Sequence, residues 1–233
     1  MNILGIGAHP DDLEFQCSGT LALFAQQGHK VFMCHALNGN LGHEEIPRDE
    51  LRNIRRQEAI NAAKVIGAVS LTADIDDMSI LETPETRVKL VDIIRKADPD
   101  LIITHAPNDY HPDHFITGKV TFSASFASTL PQLVTEEKNN GKVTPIYYMD
   151  TLAGVNSHPD EYVDITDVME LKKEMLACHK SQISWLKEHH KTDMMEFMVS
   201  TARFRGIQCD VKYAEGFRKL AVWGRLTTKR LLP

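Results

Sequence analysis

Short apolar runs alternate with stretches that are apolar on one side only over the first two thirds of the chain. Ile3-Leu4-Gly5-Ile6-Gly7 has the unbroken character of a strand buried on both faces. The pattern then predicts a helix from about Asp12 to Gln27, stopped by Gly28, and a strand over Lys30–Leu37. A Gly-rich loop from Asn38 to Gly42 leads to a predicted helix from about Asp49 to Ile66, ended by Gly67. Another helix is predicted from about Pro84 to Lys96, with Pro84 suited to a first turn. Leu101-Ile102-Ile103-Thr104 is the next strand, followed by a helix to about Ser128, a polar connection around Lys138–Lys142 and a strand at Ile146–Met149. Strand, helix and strand in succession are the signature of a parallel sheet, so the fold class is α/β.

The last third is less regular. Ile165–His179 is predicted as a helix, with Asp164 to Asp167 offering capping side chains. Two apolar stretches, near Ile207 and Leu220, are expected to be late strands or strand edges. Internal repeats and low-complexity segments are lacking, and residues 1–233 are expected to form a single domain.

Two segments carry the chemistry. His9-Pro10-Asp11-Asp12 and His111-Pro112-Asp113-His114 each follow a predicted strand, and ligands of open α/β sheets bind beyond the carboxyl ends of the strands. A metal that polarises a carbonyl keeps three protein ligands and one open position, commonly from imidazole and carboxylate. His9, Asp12 and His114 supply such a set, with Pro10 and Pro112 restricting the flanking backbone. A single histidine would more simply be a hydrogen-bonded structural residue; the pairing of two motifs favours the metal. The same donor types also describe the facial triad of non-haem iron(II) oxygenases, which usually sit on all-β scaffolds, or a metal sensor without turnover.

Composition narrows the partners. A net charge of −6 disfavours a nucleic-acid or anionic-membrane binder and leaves small molecules or further copies of the chain. Cys17, Cys34, Cys178 and Cys209 are widely spaced, which suits reduced thiols rather than disulfides. With no stretch long enough to span a bilayer and no leader-like start, the expected location is the cytoplasm.

Ala8-His9-Pro10-Asp11-Asp12 and His111-Pro112-Asp113-His114 resemble, in type, order and separation, the two motifs of the LmbE-like or PIG-L family of zinc-dependent N-deacetylases. Glu14, Gly19-Thr20, Arg55 and Glu58, His179-x-Ser181-Gln182 and Ala214-Glu215-Gly216-Phe217 extend the resemblance over nearly the whole chain. Ser18 departs from it, standing where the family usually has a glycine. The resemblance implies a Rossmann-like three-layer sandwich with a mostly parallel sheet. It implies Zn2+ held by His9, Asp12 and His114, with Fe2+ able to share the site, and Asp11 as general base. Protonated His111 would stabilise the oxyanion and could protonate the leaving amine, with Asp113 orienting or charging that imidazole. The implied substrate is a small N-acetylated amino sugar or conjugate, and the implied assembly a homo-oligomer, a trimer or hexamer.

Several residues are read from their positions as well. On the helix around residue 55, Arg55 and Glu58 fall inside the apolar sector while Arg56 points away. A pair at i, i+3 aimed inward is either a satisfied buried ion pair or a device by which Glu58 holds Arg55 toward substrate. Tyr110 is a candidate pocket residue that could equally well pack. Asp113 and Glu14 could simply favour helix N-termini. Asp74, Asp76 and Asp77 are expected to be a solvated acidic loop. Gly5-x-Gly7 lacks the third glycine of a dinucleotide fingerprint.

Overall fold

The computed structural model describes residues 1–139 and 141–233. Among them, strands β1 (Asn2–Gly7), β2 (Lys30–Leu37), β3 (Val69–Ile75), β4 (Leu101–Thr104), β5 (Ile146–Met149), β6 (Glu161–Asp164) and β7 (Ala214–Lys219) form one sheet in the order β3-β2-β1-β4-β5-β7-β6. The first five run parallel; β7 pairs antiparallel with both β5 and β6. The expected α/β sandwich with a mostly parallel sheet is what the chain forms.

Side chains alternate across a strand, and here both sides are buried. Ile3, Met33, Leu101, Ile103 and Tyr147 join one core. Their neighbours Leu4, Cys34, Ile102 and Ile146 join the other. The first core is closed by α2 (Ser18–Gln26), α3 (Arg48–Val65), α6 (Met169–Ala177) and α8 (Met194–Gln208), the second by α4 (Pro84–Ala97) and α5 (Pro112–Ala127). Each fully buried Leu or Ile contributes roughly 1.5–3 kcal/mol, so strands apolar in every position are stable only when covered on both faces. That requirement produces the three layers.

Helix ends follow local chemistry. Thr83 caps α4 by accepting the Thr86 N–H, Pro84 opens its first turn, and Gly28 and Gly67 end α2 and α3 with φ of +79° and +68°. The helix expected over 12–27 is two helices, because Cys17 at φ −142° separates α1 (Asp12–Gln16) from α2. β3 escaped the pattern because it is an edge strand in which Ser70, Thr72 and Asp74 interrupt the apolar positions. The expected helix at 165–179 starts with a 3₁₀ turn at Thr166–Val168, where Asp164 accepts the Thr166 N–H, and α6 ends at Ala177. α7 (Lys180–His189) and α8 occupy the region next along, so Ile207 lies in a helix, not a strand, while Leu220 directly follows β7. The polar connection at Lys138–Lys142 includes Asn140, which lies outside the described residues. No described helix is long and apolar enough to cross a membrane.

Candidate active site

β1 and β4 are neighbours, with Ile6 opposite Thr104, and the strand order reverses about β1. Both His-Pro-Asp segments therefore leave the sheet at its switch point, where the diverging chains open a crevice. The first loop is closed on itself by the His9 N–H donating to Asp12 Oδ2 at 2.7 Å, and tied to the second by the Ala8 N–H donating to His105 Nε2 at 2.9 Å. Asp11 sits at φ 121°, a region that L residues rarely adopt. Such strain persists only where surrounding structure enforces it. Here Arg55 Nη2 grips both the Pro10 carbonyl and Asp11 Oδ2, at 2.5 and 3.3 Å.

In the second loop, Pro112 occupies the first turn of α5 and His111 caps it, Nδ1 accepting the Asp113 N–H at 3.2 Å. His114 follows one turn later and is buried. His9, Asp12 and His114 come together, each offering a ligand atom within 4.8 Å of the others. Asp12 Oδ1 lies 3.3 Å from His114 Nε2 and its Oδ2 3.5 Å from His9 Nδ1. Two further groups share members with this one: His9 with His111 and Asp113, and His105 with Asp109 and His114.

The electrostatics fit a divalent cation. Burial alone would lower His9 and His114, yet the carboxylates of Asp113, Asp12 and Asp109 outweigh it, raising His9 to about 9 and His114 to about 10. Carboxylates thus draw positive charge onto the two imidazoles. A metal would replace those protons, since imidazole binds metal in its neutral form. Asp12 is held well below its ordinary value: burial opposes this, but His114 and His105 prevail. Asp11 differs. Burial raises its carboxyl despite the opposing pull of Arg55, and it belongs to none of the three groups.

Other expected residues take altered parts. The Asp113 carboxylate makes no hydrogen bond to the His111 ring among the described residues, though its charge favours the protonated imidazole; it lies 3.1 Å from His9 Nε2 and accepts the Met78 N–H at 3.0 Å. His111 is instead fixed by the Asp113 backbone, and burial, with His114 and His9 nearby, lowers its pKa. Arg55 and Glu58 are both buried, as the helix face indicated, yet they do not pair among the described residues. Glu58 accepts the N–H and O–H of Ser181, while Arg55, 3% exposed, is engaged by Gly39, Pro10 and Asp11. A Cβ at Gly39 would lie 2.6 Å from Arg55, so the Gly-rich loop is what lets the guanidinium pass. Tyr110 is 65% exposed and borders the cavity.

Behind the loops stands a buried frame. Glu14 contacts His35 and His179, each at 3.3 Å. Glu215 accepts from the Gly19 and Thr20 N–H groups, the Thr20 hydroxyl and Lys172. Ser18, the departure from the family pattern, is buried with its hydroxyl donated to the Glu14 carbonyl at 2.7 Å. Pattern reading missed Asp109, whose Oδ2 lies 3.3 Å from His114 Nδ1, and His105, stacked on His114. Their one signal was proximity to the second motif. It also misjudged Asp77: Asp74 and Asp76 meet Arg52 and Arg48 at the surface, but Asp77 is buried and accepts the Gly39 and Leu41 N–H groups. The cavity in front of the cluster measures 570 Å³, with apolar lining from Phe15, Leu152, Trp185, Leu186, Met194 and Phe197.

Known proteins share this architecture. A 4-oxalmesaconate hydratase of Pseudomonas putida is 26% identical over 96% of this chain and 90% of its own length. A diacetylchitobiose deacetylase of Thermococcus kodakarensis is 27% identical over 93% of this chain and 82% of its own. The solved N,N'-diacetylchitobiose deacetylase from Pyrococcus horikoshii, complexed with an inhibitor, superposes with a TM-score of 0.81 at 29% identity, covering 94% of this chain and 83% of that one. The PIG-L family model, described as GlcNAc-PI de-N-acetylase, matches residues 4–125. That match takes in both His-Pro-Asp loops, the strands that deliver them and just over half of the sequence, and the chain belongs to the PIG-L family.

Proposed function

We propose that the protein is a zinc-dependent N-deacetylase that removes an acetyl group from an N-acetylated amino sugar or its conjugate, releasing acetate and a free amine. One observation carries the reading: a strained, buried carboxylate with a raised pKa, Asp11, stands beside a His-Asp-His group without belonging to it. Zinc held by His9, Asp12 and His114 would supply Lewis acidity toward water and the acyl carbonyl. Asp11 accepts the proton of the attacking water; a base works best when its pKa approaches the working pH. Arg55 holds that carboxylate in place through its Nη2.

His111 takes the opposite part. Its Nδ1 is occupied by the Asp113 N–H, so Nε2 carries the ring proton, available to the developing oxyanion and then to the leaving amine. Tyr110 lines the cavity and would contact the substrate. The test is acetate release by the zinc-loaded protein from a panel of N-acetylglucosaminides. Release is expected from at least one member, and release at least about a hundredfold slower from the Asp11→Asn variant; silence across the panel refutes deacetylation.

A second reading has its own support, because the Pseudomonas putida hydratase matches this chain over almost its full length. The same base would then deliver water to a carbon–carbon double bond. Incubation with an unsaturated oxo-carboxylate of that type separates the two: loss of its ultraviolet absorbance without acetate would establish hydration.

A further inference from the structure

We infer that Gln16, Gln182 and Trp185 form a neutral hydrogen-bonding set that selects an uncharged, hydroxyl-bearing substrate over a carboxylated one. The inference rests on the deacetylase reading and names the kind of conjugate the site accepts. Its first support is charge. Asp11, Asp12, Asp77 and Asp113 line the cavity against a single guanidinium and the imidazoles of His9, His111, His114 and His190, and no lysine lines it among the described residues. That guanidinium, Arg55, is buried and engaged by two carbonyls and Asp11. Recognition of a carboxylate normally uses a fork of Arg or a Lys with donors to spare. Four carboxylates stand against the three positive charges of one guanidinium and one divalent ion, so no permanent cation is left over to meet a substrate carboxylate.

The second support is unpaired polarity. Gln16 and Gln182 line the same cavity and are more than nine-tenths buried. Both amide atoms of Gln16, Oε1 of Gln182 and the indole Nε1 of Trp185 are buried without a partner. Native structures rarely leave such groups unsatisfied unless a ligand completes them. Gln182 and Trp185 are three residues apart on α7, hence on one side of that helix, and Gln16 is the last residue of α1, the helix that begins directly after Asp11.

The set contains acceptors as well as donors. A hydroxyl both donates and accepts, so sugar hydroxyls can satisfy all of these atoms; a carboxylate only accepts, and leaves the two glutamine oxygens unpaired. Phe15, Leu152, Met194 and Phe197 offer apolar surface for the C–H face of a sugar ring.

The test uses zinc-loaded protein and two N-acetylglucosaminides of equal size, one bearing a neutral hydroxyethyl aglycone and one a carboxymethyl aglycone. Acetate release gives kcat and KM. Quenching of tryptophan fluorescence gives binding without turnover, since Trp185 is one of two tryptophans and the other, Trp223, is almost fully exposed and outside the cavity. The carboxylated substrate is expected to show a kcat/KM at least about tenfold lower, with the gap narrowing as salt is added. Trp185→Phe and Gln182→Leu should each raise KM for the neutral substrate about three- to tenfold and leave kcat within about twofold.

Equal or better use of the carboxylated substrate, or unchanged KM in both variants, overturns the inference. Binding in the expected order with no acetate from either ligand refutes deacetylation and leaves the selectivity standing. Acetate release in the reverse order does the opposite.

Discussion

Replacing Asp109 with Asn is expected to loosen the metal while leaving the loop in place. Asp109 Oδ1 accepts the His111 N–H at 3.1 Å, and Oδ2 lies 3.3 Å from His114 Nδ1 and 3.9 Å from His105 Nδ1. An anionic oxygen beside Nδ1 keeps the His114 proton there and leaves Nε2 free for a ligand bond, since the second nitrogen's partner sets the tautomer. Asparagine retains an oxygen for His111 but then turns an NH2 toward His114. Nδ1 must become an acceptor, and the proton moves to the nitrogen facing Asp12. Removing such a supporting carboxylate typically costs 10–100-fold in metal affinity, about 1.4–2.7 kcal/mol. Competition with a chelator of known affinity measures the change for zinc, and thermal melting in parallel separates lost grip from lost fold. An affinity within about twofold of the parent, in a folded variant, would refute the tautomer argument.

Four other outcomes follow from neighbouring parts of the molecule. Asp11→Asn should lower kcat about 10²–10⁴-fold with zinc content unchanged; a retained rate would remove Asp11 as base. Glu215→Ala strands buried Lys172, whose remaining partners are the Glu14 and Phe15 carbonyls, and should cost about 3–5 kcal/mol, lowering Tm by roughly 6–20 °C; a shift under about 2 °C would show that the carbonyls suffice. Gly19→Ala places a Cβ 2.8 Å from Ile165 Cγ2 and 3.0 Å from Glu215 Oε1, so a loss of about 1–3 kcal/mol in chemical denaturation is expected. Burial would raise Glu14, but His179 and His35 hold it well below its ordinary 4.5. The folded state then binds fewer protons than the unfolded one, and this stabilisation is complete above the ordinary value and lost as pH falls below it. Tm measured from neutral pH downward should fall more steeply below pH 4.5 in the parent than in Glu14→Gln; parallel curves would exclude the effect.

What the amino-acid pattern revealed, and what it hid, divides along physical lines. β1, β2, β4 and β5 are apolar throughout or nearly so because both faces are covered, and such runs stand out without any knowledge of neighbours. The convergence of His9, Asp12 and His114 was legible because each motif follows one of these strands, which fixes where the loops emerge. Asp109, His105 and Asp77 were not, since their roles depend on which nitrogen or N–H they meet across the loops. The Arg55–Glu58 pair shows both cases on one helix. Periodicity placed the two side chains inside, and only packing against α7 decided that Glu58 answers Ser181 while Arg55 answers Asp11. α8 was hidden for a similar reason: its polar and apolar residues follow no single stripe, because Met194 and Met198 face the core while Arg205 is buried with Asp150.

The chain's similarity to both a hydratase and a deacetylase has a chemical explanation. A loop pair that held a metal beside an unligated carboxylate would prepare water for attack, and water so prepared can add to an amide carbonyl or to a polarised double bond. Nothing in His9, Asp11, Asp12, His111 or His114 distinguishes the two electrophiles. The distinction has to come from residues that hold the rest of the substrate, and those lie outside both motifs. An oxalmesaconate is by name a carboxylate, so a cavity built for it requires cations aimed at the ligand; here the one arginine that lines the cavity is turned onto the Pro10–Asp11 and Gly39 loops, and the remaining polar lining beyond the cluster, which includes Gln16, Gln182, Trp185, Tyr110, Thr192 and His190, holds no lysine or second arginine among the described residues. Introducing a cation should therefore shift the preference. Leu41→Lys, at a half-exposed position on the cavity edge, is expected to raise kcat/KM for the carboxymethyl glucosaminide about threefold or more relative to the hydroxyethyl one at low salt, and to lose that gain at high salt. If the ratio does not move, charge at the cavity mouth does not govern selection, and the discrimination between electrophiles must be sought at the reacting carbon itself.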